Sequence, residues 1–183
     1  MKPNRIRLLC TVLGLTFGLS RIGPTPLAAQ GGCQPVDEAM NKIMTVPTHI
    51  YGAMSSVPSN GAKLRNDDAS HSETIYVGGS VYTKVGGRWS RGNWTPQQIM
   101  KQEQENRQKS KYTCRYLHDE SVNGEPAAVY STHSERSDVG QVTSDGQVWI
   151  SKSRKLPLRD SRGKAGKNHY SERYEYTNVQ PPP

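Results

Sequence analysis

Two glycine pairs constrain the fold of this chain more than any other feature. Gly78-Gly79 and Gly86-Gly87 separate three short runs with strand character, at residues 74–77, 80–85 and 88–90. A two-residue link between antiparallel strands needs positive φ at both positions, which glycine adopts without steric penalty. Each pair therefore predicts a tight hairpin, and the two together predict a meander. Such a ribbon is not stable alone, because its apolar side needs more strands or a helix to cover it.

The flanking sequence supplies both. Residues 48–54 read as a strand, and residues 55–72, rich in Ser, Asn, Gly and Asp, as a long loop. Further strands are expected at 112–118, 126–133, 147–152, 156–159 and 170–179, with Asn123-Gly124 as another hairpin turn. Asp145-Gly146 reads as a turn pair opening the run Gln147-Val148-Trp149-Ile150-Ser151. Beyond a bend at 152–155, Leu156-Pro157-Leu158 continues as a short strand. Proline cannot donate to a ladder, so this strand should lie at an edge or begin near Pro157. Alternation places Tyr112, Cys114, Tyr116 and His118 on one face of their strand, and Tyr170, Tyr174 and Tyr176 on one face of the last.

Two helices complete the pattern. Val36, Ala39, Met40, Ile43 and Met44 fall on one helical face within residues 35–44, with Asp37 and Glu38 in the first turn, where the helix dipole favours acids. Methionines such as Met40 are adaptable packing material, suited to core or to a variable ligand. Thr95-Pro96 caps a second, strongly polar helix over residues 97–109, which has only Ile99 and Met100 to bury. Sequential strands with short turns imply antiparallel pairing, so the fold class is α+β, mostly β, with an N-terminal helix and one polar mid-chain helix.

Residues 1–29 look like a secretory signal: Lys2, Arg5 and Arg7 precede an apolar centre at 8–19, and Leu27-Ala28-Ala29 offers a small-residue cleavage site. The apolar run is too short for a stable transmembrane anchor. Removal of the segment near Ala29 takes 24 basic residues to 20 against 16 acidic, so the mature chain is only mildly basic. A basic cluster of Lys152, Arg154, Lys155, Arg159, Arg162, Lys164, Lys167 and Arg173, opposed by Asp160, Glu172 and Glu175, remains in the last third. It reads as a solvated face, with attraction of phosphate or anionic lipid as the alternative, and without interleaved aromatics no nucleic-acid partner is expected. Cleavage also removes Cys10 and leaves Cys33 and Cys114, an even pair in a compartment that permits disulfides. One bond between them closes a loop of about 80 residues, worth about 4 kcal/mol on chain entropy. Lipidation of Cys33 is disfavoured, since Gln30 stands where a Leu-like residue is needed.

The order of helix, Tyr-bearing hairpin, Gly87-Arg88-Trp89, polar helix, Cys114 strand, Val122-Asn123-Gly124-Glu125-Pro126 and the Trp149/Leu156-Pro157 strand pair resembles the periplasmic lipoprotein-carrier and outer-membrane lipoprotein-sorting superfamily. The resemblance implies a curved antiparallel half-barrel over residues 30–179; the proline-rich residues 180–183 after it read as a disordered tail. It implies a concave face that holds acyl chains or other hydrophobic ligands, with Tyr82, Trp89, Tyr130 and Trp149 on or near the sheet. Related domains sense envelope stress by binding a protein partner. A hydrophobic fraction of only 33% argues for a small cavity or a filled sheet.

Catalytic signatures are sparse. The histidines occur singly, without the spacing that pairs metal ligands on a helix, so neither a metal nor a cofactor is expected. Ser161-Arg162-Gly163-Lys164 fits Ser-x-x-Lys but lacks a helix start and a second motif. The expectation is a periplasmic or secreted binding protein that is not an enzyme, taking a lipid or other hydrophobic molecule. The alternative is a ligand-free module that binds an envelope protein.

Overall fold

A computed structural model of the protein describes residues 32–55, 70–136, 142–163 and 169–183. The expected signal segment, residues 56–69 of the expected loop, and Lys164 of the Ser-x-x-Lys stretch lie outside the described residues. Helix α1 (Gln34–Lys42) runs into one 3-10 turn (Ile43–Thr45). Four strands follow: β1 (Thr48–Ser55), β2 (Ser70–Val77), β3 (Ser80–Val85) and β4 (Arg88–Arg91). Helix α2 (Pro96–Gln108) leads to β5 (Ser110–Val122), β6 (Glu125–Arg136), β7 (Val142–Ser151), β8 (Pro157–Gly163) and β9 (His169–Glu175).

The expected hairpins form. Gly78 and Gly79 have φ of 56° and 71°, and Val77 pairs with Ser80 across them. Asn123 and Gly124, at 51° and 83°, turn β5 into β6. All nine strands make one open antiparallel sheet in the order β4-β3-β2-β1-β9-β8-β7-β6-β5. Strands β4 and β5 are its two edges, yet they are successive strands in the chain. The connection between them carries α2, whose 13 residues extend about 20 Å. A link from edge to edge must cross one face of the sheet, and the sheet curves beneath it as a half-barrel. Thr95 fixes where that helix starts: its hydroxyl accepts from Gln98 N at 3.3 Å, and Gln98 Oε1 accepts from Thr95 N at 2.8 Å. A cap of this kind contributes about 1 kcal/mol.

Several expectations need correction. Strand β2 begins at Ser70, inside the stretch read as loop. Asp145-Gly146 is no turn, because β7 begins at Val142 and Gly146 pairs with both Thr132 and Arg162. A side chain at Gly146 would put its Cβ 2.5 Å from the Ser161 carbonyl oxygen and 2.9 Å from Thr132 Oγ1. Glycine stands there for close approach between strands and not for a reversal. The alternation along β5 also breaks. Leu117 faces a cluster of Ala127, Val129, Trp149 and Leu158 as alternation requires, and a bulge between Tyr116 and His118 puts His118 on that same face, opposite Cys114. The last strand ends at Glu175, although Tyr176 still packs beside Tyr174.

Pro157 is the first residue of β8, as its missing donor requires, but β8 lies inside the sheet, between β7 and β9. The bend before it is tied by Ser151. Its N–H donates to Leu156 O at 2.9 Å, its carbonyl accepts from Lys155 N at 3.0 Å, and its hydroxyl accepts from Arg154 N at 2.9 Å. Arg154 Nε in turn donates to Glu125 Oε1 at 2.9 Å, which joins this bend to the start of β6.

The core is split by the sheet. On the helix side, Val36 and Ala39 of α1 pack on Val148 and Ile150. Ile43 joins Ile50, Tyr76, Val81, Leu156 and Tyr174 there, with Ile99 of α2 against them. The cluster around Trp149 occupies the other face. Cys33, directly before α1, is bonded to Cys114 of β5, with Cα atoms 4.9 Å apart and 81 positions between them in sequence. The disulfide thus fastens the helix to one edge strand.

Candidate functional site

Between the two helices and the concave face lies a groove of about 520 Å³. Its walls follow from alternation: β-strand residues one position apart face opposite ways, so the inner residues of seven strands converge beneath the helices. At one end the wall is apolar, formed by Met44 and Ile43 after α1, Ile99 and Met100 of α2, and Ile50 and Tyr76 of the sheet. Burial pushes the Tyr76 hydroxyl up to about 12, with Glu172 and Glu103 adding to the shift. Met40 lies between the two helix-side clusters and lines the middle.

The floor at the centre is polar and densely bonded. Tyr170 and Tyr174 donate to the two oxygens of Glu172 at 2.7 and 2.6 Å. Burial raises both phenols, Tyr174 well above the usual range, so they remain protonated donors. Beside them, Arg162 Nε donates to Asp160 Oδ2 at 2.8 Å. Asp160 is 5% exposed, and its burial raises the carboxyl despite the opposing pull of Arg162. The far end is polar too, with Tyr112, Thr132, Ser134, Arg136, Ser144 and Arg107. Arg107 pairs with Asp37 and so links α2 to α1, while its guanidinium lies 5.6 Å from the Tyr112 ring centre.

Of the residues singled out from sequence, the groove takes in Met40 alone. Tyr130 is on the concave face but packs beside Val148 and Ile150, with its ring edge toward Tyr116 at 5.8 Å. Tyr82, Trp89 and Trp149 belong to the convex face, where Trp149, Arg159, Arg173, Tyr51, Glu73, Lys84 and Trp89 are successive cross-strand partners over seven strands. Cations lie over the rings along this row: Arg159 on Trp149 at 4.9 Å, Arg173 on Tyr51 at 4.3 Å, and Lys84 on Trp89 at 5.5 Å. In sequence, Asp160, Arg162 and Glu172 stand out only as members of the charged cluster in the last third, not as the centre of a groove. The only signal of that centre is i, i+2 spacing on two strands, and that identifies a site only when the neighbouring registers are known.

The convex face also carries His133, whose Nδ1 is 2.7 Å from Asp145 Oδ1 and whose Nε2 is 3.1 Å from Glu135 Oε1. The hydrogen bond to Asp145, then that to Glu135, raises the imidazole above its ordinary value. Its stabilising contribution is present below the unfolded imidazole pKa and is lost as pH rises through the folded one. Histidine ring-proton shifts followed by NMR against pH should show His133 titrating above a free histidine. Asp145→Asn should move that titration down, and an unshifted curve would refute the pairing. Among the described residues no three His, Cys, Asp or Glu are grouped as a metal site requires. No described helix is long and apolar enough to cross a membrane.

No protein-family profile matches the sequence, and no curated protein matches it. Solved structures do show a similar chain path. LprF from Mycobacterium bovis is 12% identical with a TM-score of 0.45, over 82% of this chain and 95% of that one. The lipoprotein LppX from Mycobacterium tuberculosis is 11% identical with a TM-score of 0.45, over 80% and 97%. A putative outer membrane lipoprotein-sorting protein domain from Vibrio parahaemolyticus is 9% identical with a TM-score of 0.30, over 80% and 93%. What the groove can hold follows from its own residues.

Proposed function

We propose that this chain is an exported binding protein whose concave groove holds a hydrophobic or amphiphilic small molecule. The observation that carries the reading is the open space of about 520 Å³ between helices and sheet, with Met40, Met44, Ile99 and Met100 facing it. That volume falls within the range of small-molecule sites, and methionine walls adapt to varied ligand shapes. In this reading residues 1–29 direct export and are removed near Ala29, and residues 30–179 act as a single domain in the periplasm or outside the cell. The disulfide between Cys33 and Cys114 supports an oxidising compartment. The protein is a carrier or holder and not an enzyme.

Native mass spectrometry of protein exported to a periplasm and purified without detergent, followed by organic extraction, tests this. A reproducible adduct of lipid or other amphiphile mass is expected, and Met44→Glu should weaken uptake at least ~tenfold, since a charge at the apolar end has no partner there. A clean apo mass that also refuses added fatty acids and lysophospholipids would overturn the reading. The envelope-partner alternative would then take its place.

A further inference from the structure

We propose that the groove has a direction, and that its ligand is a single-tailed amphiphile with an oxyanion head, a carboxylate or a phosphate. This rests on the groove being a ligand site, and it adds the ligand's class and orientation. The two ends of the groove differ in kind. At the β1/β2 end, Ile50 and Tyr76 of the sheet face Met44, Ile99 and Met100, which suits a hydrocarbon tail.

At the β5/β6 end the wall holds Arg107 and Arg136, with the hydroxyls of Ser110, Ser134 and Ser144 between them. The acids nearest that end are already engaged. Asp37 pairs with Arg107, Asp160 with Arg162, and both oxygens of Glu172 accept from tyrosines. A guanidinium has five N–H donors, and one carboxylate uses only some of them. This end is therefore rich in donors, an environment in which an added oxyanion gains charge-assisted hydrogen bonds, while the remaining acid of the lining, Glu103 of α2, acts on Tyr76 toward the other end. A quaternary ammonium head has no donors and would meet guanidinium charge. A ligand with two or three chains would have to lay apolar surface along the central floor, where Asp160, Arg162 and Glu172 lie.

The test compares heads on a common tail, with the full exported chain titrated calorimetrically below micelle concentrations. Laurate and dodecyl phosphate should both bind at least ~tenfold tighter than dodecyltrimethylammonium, and Arg136→Gln should erase most of that preference. Preference for only one of the two anions would identify the source of the head. Equal or tighter binding of the ammonium would overturn the proposal while leaving the groove a ligand site. Binding of none of the three would overturn both. Orientation has a readout that needs no variant. In methyl-labelled protein, laurate with a nitroxide at its terminal carbon should broaden the Met44 and Met100 resonances, with Met54 outside the groove unaffected. Broadening confined to residues at the Arg136 end would reverse the direction and refute it.

Discussion

Replacing Cys33 and Cys114 together by serine should destabilise the protein by about 4 kcal/mol, the chain-entropy value of a bond closing a loop of 81 residues. The effect should extend beyond global stability, because of where the bond sits. Cys33 directly precedes α1, and α1 is one wall of the groove. Once freed, the helix is retained by the burial of Val36 and Ala39 and by the ion pair of Asp37 with Arg107. Ligand uptake should therefore weaken even at temperatures where the sheet stays folded. Urea unfolding of oxidised and double-serine protein measures the first effect, and amide hydrogen exchange in residues 34–42 measures the second. Equal midpoints, or α1 protection unchanged by loss of the bond, would contradict this account.

Trp149→Ala should be nearly as damaging, at about 3–5 kcal/mol, the usual range for removing a large buried aromatic. Trp149 is 7% exposed and packs with Ala127, Val129 and Leu158, and its indole N–H donates to Glu120 at 2.6 Å. The substitution leaves a void, takes a donor from Glu120 and strips the ring from beneath Arg159. Since these contacts are on the convex face, the fraction that stays folded should bind groove ligands with unchanged affinity. Measuring denaturation midpoint and ligand affinity on the same sample separates the two roles. A variant of near-normal stability that no longer binds would place the ligand on the convex face and refute the groove.

The parts of the fold legible in sequence were those governed by local rules. Gly78-Gly79, Gly86-Gly87 and Asn123-Gly124 turn where positive φ is required, Thr95-Pro96 opens its helix, and the Cys33–Cys114 bond follows from the even count left once residues 1–29 are read as a signal. The errors arose where distant strands decide the outcome. Asp145-Gly146 looks like a turn because the same glycine that relieves a turn also relieves a crowded strand crossing, here against Ser161 and Thr132. The bulge at Leu117 has no signature in its own residues, yet it changes which face carries His118. The resemblance puts Tyr82, Trp89, Tyr130 and Trp149 on or near the sheet, but the face each takes depends on register across the whole sheet. The groove itself depends on Arg162, Asp160 and Glu172 meeting across two strands, a pairing that exists only once β8 and β9 are adjacent.

An open sheet has two strands with unpaired ladder groups, and here β4 and β5 are left in that position. Each is defended differently. Strand β4 is four residues long, with Arg88 and Arg91 at its ends, too short and too charged to template another chain. Strand β5 is three times longer, but Lys111 and Arg115 project from it and the bulge after Tyr116 interrupts its ladder. A half-barrel must keep its rims apart to admit a guest between them. The charges and the kink along these rims oppose extension of the sheet by a second copy, so the opening between them does not become a route to polymerisation.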